Sequence, residues 1–214
     1  MQVRGITVGQ IQENCYVARR GDAAEAIVVD PGDEAERILR AVEELGAQTV
    51  GAILLTHTHF DHVGAVAPLA RETGAKVWCP KLEVPILADI NRYTWPGIGP
   101  FESYDADHTV EGGETLSLCG IELEVVFTPG HSPGHVTYAV EDTGAEPVLF
   151  SGDVLFQGSV GRTDLPGGDW PTLARSIATL LERFPDETTV LPGHMGVTTL
   201  GRERATNPFL AELV

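Results

Sequence analysis

The chain has 214 residues, 43% hydrophobic and 21% charged, with 31 acidic against 14 basic side chains and a formal charge of -17 at pH 7. That length suits one globular unit spanning residues 1–214. No apolar run approaches the roughly 20 residues that cross a bilayer, and so acidic a chain without a Lys/Arg cluster repels a phosphate backbone. Membrane and nucleic acid are therefore excluded as partners. Cys15, Cys79 and Cys119 are odd in number and far apart, which suits a reducing compartment. The start, "MQVRGITVGQIQENCYV", lacks the apolar core and cleavage site of a signal peptide, so a cytoplasmic location is expected.

In chain order, "NCYVARR" and "AIVVD" read as strands, the second stopped by "PGD". "DEAERILRAVEELG" carries Ile38, Leu39, Val42 and Leu45 at helical spacing and ends on Gly46. "VGAILL" is a strand, "VGAVAPLARETG" a helix, "KVWC" a short strand and "PKLEVPILADINRY" partly helical despite Pro85. Residues 91–109 are the longest stretch without a period, and long irregular segments in compact domains are often lids or binding loops. Beyond them "IELEVVFT", "HVTYAV" and "PVLFSGD" read as strands. "DWPTLARSIATLLERF" is an amphipathic helix with Pro171 in its first turn, and "TTVLPGH" is a final strand. Short strands alternating with helices imply two mixed sheets covered by outer helices, a layered α/β arrangement.

Ligand-type side chains collect where these strands end. "THTHFDH", residues 56 to 62, holds His57, His59, Asp61 and His62 directly after "VGAILL". An extended strand end would project His57 and His59 to one side, with Asp61 and His62 diverging as a helix begins, so the cluster can serve two ions. Further donors are His131 in "TPGHSPGH", Asp153 in "FSGDVLF" and His194 in "LPGHM". Imidazole with carboxylate and no Cys suits Zn(II), with Fe(II) or Mn(II) as alternatives, and argues against a thiolate-rich structural site. A carboxylate can bridge two ions about 3.5 to 4 Å apart, and Asp153 is the candidate bridge. His135, four residues past His131 but separated from it by Pro133 and Gly134, reads as a supporting residue, and His108 as an ordinary surface histidine.

The pattern H-x-H-x-D-H in "HTHFDH", followed by "TPGH", "SGD" and "LPGH", resembles the metallo-β-lactamase fold superfamily. Within it, "NCYV", Asp at 153, "GRTDLPGGD" and "TTLGRERATNPFL" are similar to the short bacterial glyoxalase II-like hydrolases, and true β-lactamases look less similar. The resemblance implies a four-layer αββα sandwich with two divalent metal ions at one edge. His57, His59 and His131 would bind the first, Asp61, His62 and His194 the second, and Asp153 both. It also implies hydrolysis of a small-molecule thioester such as S-lactoylglutathione, with Asp61 and Asp153 in the catalytic centre. Two cations would lower the pKa of a shared water, whose hydroxide attacks the carbonyl. A thiolate, from a thiol with pKa near about 8.5, leaves without a dedicated general acid. Larger glyoxalase II enzymes carry a C-terminal helical domain that binds glutathione, and here only 20 residues follow His194. Arg92, Tyr93 and Trp95 are candidates to replace those contacts.

Other chemistries share these motifs. "THTHFDH", "TPGH", "SGD" and "GRTD" are also similar to persulfide dioxygenases, in which His57, His131 and Asp153 would form a two-His, one-carboxylate face on a single iron. A lactonase, a phosphodiesterase or a non-catalytic metal-binding module on the same scaffold are further alternatives.

Overall fold

In the computed structural model, which describes residues 1–141 and 145–211, two six-stranded mixed sheets form the centre. The first consists of β1 (Gln2–Val8), β2 (Glu13–Arg19), β3 (Glu25–Val29), β4 (Thr49–Leu54), β5 (Lys76–Pro80) and β6 (His108–Val110), in that spatial order. β1 to β3 pair antiparallel, and β3 to β6 pair parallel. Parallel neighbours need crossovers, here supplied by α1 (Ala35–Glu44), by α2 (Phe60–Val63) with α3 (Val66–Thr73), and by α4 (Val84–Leu87) with the loop after it.

The second half adds β7 (Thr115–Leu118), β8 (Ile121–Phe127), β9 (Val136–Val140), β10 (Val148–Gly152), a small hairpin of β11 (Leu155–Phe156) and β12 (Ser159–Val160), then β13 (Thr189–Pro192) and β14 (Thr198–Thr199). Its sheet runs β14-β13-β10-β9-β8-β7. Only β10 and β13 are parallel, joined through α5 (Trp170–Arg183), and α6 (Leu200–Thr206) follows β14.

Strand side chains alternate faces, and that alternation builds the layers. On β3, Ala26 and Val28 pack beneath Ile38 and Val42 of α1 and Leu69 of α3, while Ile27 and Val29 face the other way. There they meet Val136, Tyr138 and Phe150 of the second sheet. Ala139 and Leu149 point outward to Leu173, Ile177 and Leu180 of α5. The result is a four-layer αββα sandwich. Ile53 on β4 is fully buried in the helix-facing layer, so Ile53→Val should lower unfolding stability by about 1 kcal/mol in a denaturant titration.

The helix over residues 169–184 forms as Trp170–Arg183, with the Asp169 side chain accepting the Thr172 N–H at 2.9 Å. "PKLEVPILADINRY" breaks into α4 flanked by 3₁₀ turns at Lys81–Glu83 and Ile90–Arg92, with Pro85 in the first turn of α4. The irregular stretch is shorter than its sequence suggests. His108 and Thr109 belong to β6, where they pair with Trp78 and Cys79, and the exposed His108 ring stacks on Trp78. β1, β6, β7, β11, β12, β14 and α6 have no counterpart in the sequence reading. Among the described residues no helix is long and apolar enough to cross a membrane.

Candidate metal centre

The loops that leave β4, β8, β10 and β13 meet at one edge of the two sheets. β4 closes at Leu54, and after Thr56 the chain carries His57, Thr58 and His59 before entering α2, so Asp61 and His62 ride on that helix. His131 lies between β8 and β9, Asp153 directly follows β10, and His194 follows β13 by two residues. The convergence of His57 and His59 is not produced by strand alternation, since the strand has already ended. His57 turns in its Nε2 and His59 its Nδ1, which lie 3.1 Å apart.

His59 Nδ1 is also 2.8 Å from His131 Nε2, so three imidazole nitrogens face one point. Asp61, His62 and His194 make a second group, with His194 Nε2 at 3.2 Å and His62 Nε2 at 4.0 Å from Asp61 Oδ2. Asp153 stands between the two. Its Oδ1 is 3.4 Å from His62 Nε2, and its Oδ2 is 3.4 Å from His131 Nε2 and 3.7 Å from His194 Nε2.

The hydrogen bonds behind the rings decide which nitrogen carries a lone pair. His131 Nδ1 faces the Arg162 carbonyl oxygen at 2.8 Å and must donate to it, leaving Nε2 bare. His62 Nδ1 donates to Asp30 Oδ2 at 3.1 Å, with the same result. Thr56 Oγ1 spends its proton on Asp30 Oδ2 at 2.6 Å, so at 3.1 Å it accepts from His57 Nδ1 and bares that Nε2 as well. Asp30 thus orients two of the rings. It is held by the Thr56 N–H at 2.8 Å and sits at φ 49°, a left-handed conformation that Asp tolerates.

Burial, reinforced by the nearby imidazoles, pushes His57 well below its ordinary value and, with His131 as the main neighbour, takes His59 down to about 4. Burial raises the Asp153 carboxyl, but the His62 and His131 imidazoles outweigh it and hold the group well below the carboxylate range. Burial likewise disfavours charge on His62, yet the Asp153 and Asp30 carboxylates lift it well above its usual value. A divalent ion competes for the same nitrogen as that proton.

These residues fit a pair of metal ions. The buried His62 Nε2 and Asp153 Oδ1 have no hydrogen-bond partner, an expensive state for two groups aimed at each other's cavity. Nitrogens each roughly 2.0 to 2.1 Å from one ion stand roughly 3 to 3.5 Å apart, close to the 2.8 and 3.1 Å found in the first group. The donor set is imidazole and carboxylate, with no Cys among it.

A cavity of about 570 Å³ opens over this edge, walled by His59, Asp61, His131, Asp153 and His194, by Arg92 at the end of the second 3₁₀ turn, and by Tyr93 and Trp95 just after it. Arg162 also lines this cavity, pinned by two 2.7 Å bonds to Asp164. "NCYV" acts at a distance: Asn14 Nδ2 donates to the carbonyls of Pro192 and Met195 at 3.1 and 2.9 Å, and Tyr16 OH to Pro192 at 2.8 Å. The turn that carries His194 is therefore clamped from β2. At Gly161 a Cβ would lie 1.9 Å from the Asp153 carbonyl oxygen, so only glycine lets this loop close on Asp153.

Residues 8–194 match the sequence profile of the metallo-beta-lactamase superfamily. The chain belongs to that superfamily. It is 39% identical to the hydroxyacylglutathione hydrolase GloC of Haemophilus influenzae, with 98% of each protein covered. It is also 39% identical to BLEG-1, described as a B3 metallo-beta-lactamase, whose crystal structure matches with a TM-score of 0.90 over 98% of this chain and 100% of that one. TTHA1623, crystallised in a di-iron-bound form, is 42% identical, with a TM-score of 0.82 over 97% of this chain and 100% of that one. Equal identity to a protein named a hydroxyacylglutathione hydrolase and to one described as a B3 metallo-beta-lactamase means that overall similarity does not separate chemistries within the superfamily.

Sequence reasoning missed several supporting residues. Asp30 was legible only as the last residue of the strand "AIVVD". His135, anticipated as a supporting residue, is fully buried and its Nε2 accepts the Asp153 N–H at 3.1 Å, so it holds the backbone of Asp153. Glu13 is fully buried with neither oxygen hydrogen-bonded, its Oε1 3.8 Å from His62 Nδ1, and burial pushes its carboxyl well above the usual range.

Proposed function

We propose that the chain is a dinuclear metal-dependent thioester hydrolase of the hydroxyacylglutathione hydrolase type. His57, His59 and His131 hold one divalent ion, Asp61, His62 and His194 the other, and Asp153 is shared. The observation that carries the reading is the placement of Asp153, with Oδ1 toward His62 and Oδ2 toward His131 and His194. A single-iron centre on His57, His131 and Asp153 would give the second group no task. Zinc is the first choice, and iron or manganese suits the same donors. When bound, such a pair lowers the pKa of a shared water and polarises a carbonyl oxygen.

The remaining residues supply position and surroundings. Asp61 and Asp153 keep two carboxylates at the reacting centre, and buried Asp30 and His135 hold the rings and the Asp153 backbone in place. Besides the ligand residues, the titratable side chains on the cavity wall are Arg92, Tyr93 and Arg162, none of which is an acid suited to protonating a leaving group at neutral pH. A thiolate leaves without one. Arg92, Tyr93 and Trp95 offer a cation and two aromatic faces to a thiol portion that bears a carboxylate, such as a glutathione conjugate.

One purified sample tests this reading. Elemental analysis is expected to give two metal equivalents, S-lactoylglutathione to be hydrolysed, and glutathione persulfide to cause no oxygen uptake, with a chromogenic β-lactam turned over far more slowly. Uptake without thioester hydrolysis overturns the proposal in favour of a dioxygenase. His194→Ala should reduce metal content from about two to about one equivalent and remove most turnover, and full activity with one remaining ion would exclude a dinuclear mechanism.

A further inference from the structure

Glu83 closes the 3₁₀ turn after β5, is 1% exposed, and lines neither the metal edge nor the cavity. Its carboxylate nevertheless touches both loops that bring in the three-histidine group. Oε2 accepts from Thr58 Oγ1 at 2.8 Å, and Thr58 stands between His57 and His59. Oε1 accepts from Ser132 Oγ at 2.7 Å and from the Gly134 N–H at 2.8 Å, and Ser132 directly follows His131. One loop leaves the first sheet and the other the second. At Gly134 a Cβ would lie 2.7 Å from Glu83 Cγ, so the close approach needs a residue without a side chain.

Resting on the metal reading above, we propose that Glu83 is a positioning residue that sets the separation of His57 and His59 from His131, and so selectively tunes the ion held by those three rings. A carboxylate is an acceptor only, and here it meets three donors from two segments more than 70 residues apart in sequence. Hydrogen bonds to an ionised acceptor are roughly twice as strong as neutral ones, and a buried carboxylate costs least when its lone pairs are occupied. The second group, Asp61, His62 and His194, has no bond to Glu83; its orientation comes from Asp30 and from the clamp by Asn14.

The test is metal affinity, read by competition of the apo protein with a chromophoric chelator for Zn(II), in two backgrounds. In His194→Ala only the three-histidine position is complete, and there Glu83→Ala should weaken binding roughly 100-fold and Glu83→Gln roughly 10-fold, the span that loss of an orienting partner produces. In His59→Ala only the other position is complete, and both substitutions should leave its affinity unchanged. Equal losses in the two backgrounds, or no loss in the first, overturn the proposal. If Glu83→Ala does not fold, Glu83→Gln and Ser132→Ala decide: both must weaken the three-histidine position, Ser132→Ala the less, and no effect of either refutes the role. Wild-type protein that binds no ion overturns the metal reading itself, whereas wild-type binding of two ions with unaltered Glu83 variants overturns only this inference.

Discussion

Asp153→Ala is expected to empty both metal positions at once, whereas removal of any single histidine empties one. The carboxylate is placed directly against both clusters, 3.4 Å from His62 Nε2 through one oxygen and 3.4 Å from His131 Nε2 through the other. Its removal would leave each position with three donors and would take away the carboxylate that would offset the mutual repulsion of two bound cations. Loss of a mere orienting partner costs roughly 10- to 100-fold in affinity or activity, so loss of the shared ligand should exceed that upper figure in thioester turnover. The backbone is not at stake, because the bond from the residue 153 N–H to His135 survives the substitution. Elemental analysis of the variant should find well under one equivalent. A variant that still carries two ions and turns over thioester would show that the bridge lies elsewhere.

The seven converging side chains were legible because metal chemistry confines them to a few residue types and places them directly after strands. His57, His59, Asp61 and His62 stand within six positions, and His131, Asp153 and His194 each follow an apolar run. Their supporting residues were not legible for the opposite reason. Asp30 in "VVDPGD", Glu83 in "PKLEVP" and Thr56 at a strand end look like ordinary turn or cap residues, and what they do depends on partners 25 to 51 positions away. Periodicity failed where burial is one-sided or strands are short. β1 is an edge strand with one buried residue in seven, β6 has three residues and pairs only with β5, and β14 has two. The central strands, buried on both faces between helices and the facing sheet, carry the apolar runs that made the layered architecture predictable.

Gly193→Ala should abolish metal binding at the Asp61, His62 and His194 position and cut turnover more than roughly 100-fold, although it adds one methyl to a protein whose fold survives. A Cβ built there lies 2.3 Å from Asp153 Oδ1 and 2.6 Å from His62 Cε1, inside the contact distance of any real carbon. The backbone has no room to recoil. Gly193 donates its N–H to the Gly152 carbonyl at 2.9 Å, its own carbonyl accepts the Asn14 N–H at 2.7 Å, and Asn14 and Tyr16 fix the flanking Pro192. The two side chains must give way instead: the His62 ring is fully buried and bonded to Asp30, so the clash falls on the Asp153 carboxylate, whose Oδ1 has no hydrogen bond to hold it and is pushed off its place against His62. Overpacking of this kind costs about 1 to 3 kcal/mol, small enough to leave far-UV circular dichroism unchanged while the ligand geometry is lost. Two metal equivalents and near-normal thioester hydrolysis in Gly193→Ala would mean that His62 and Asp153 do not share the ion that this glycine makes room for.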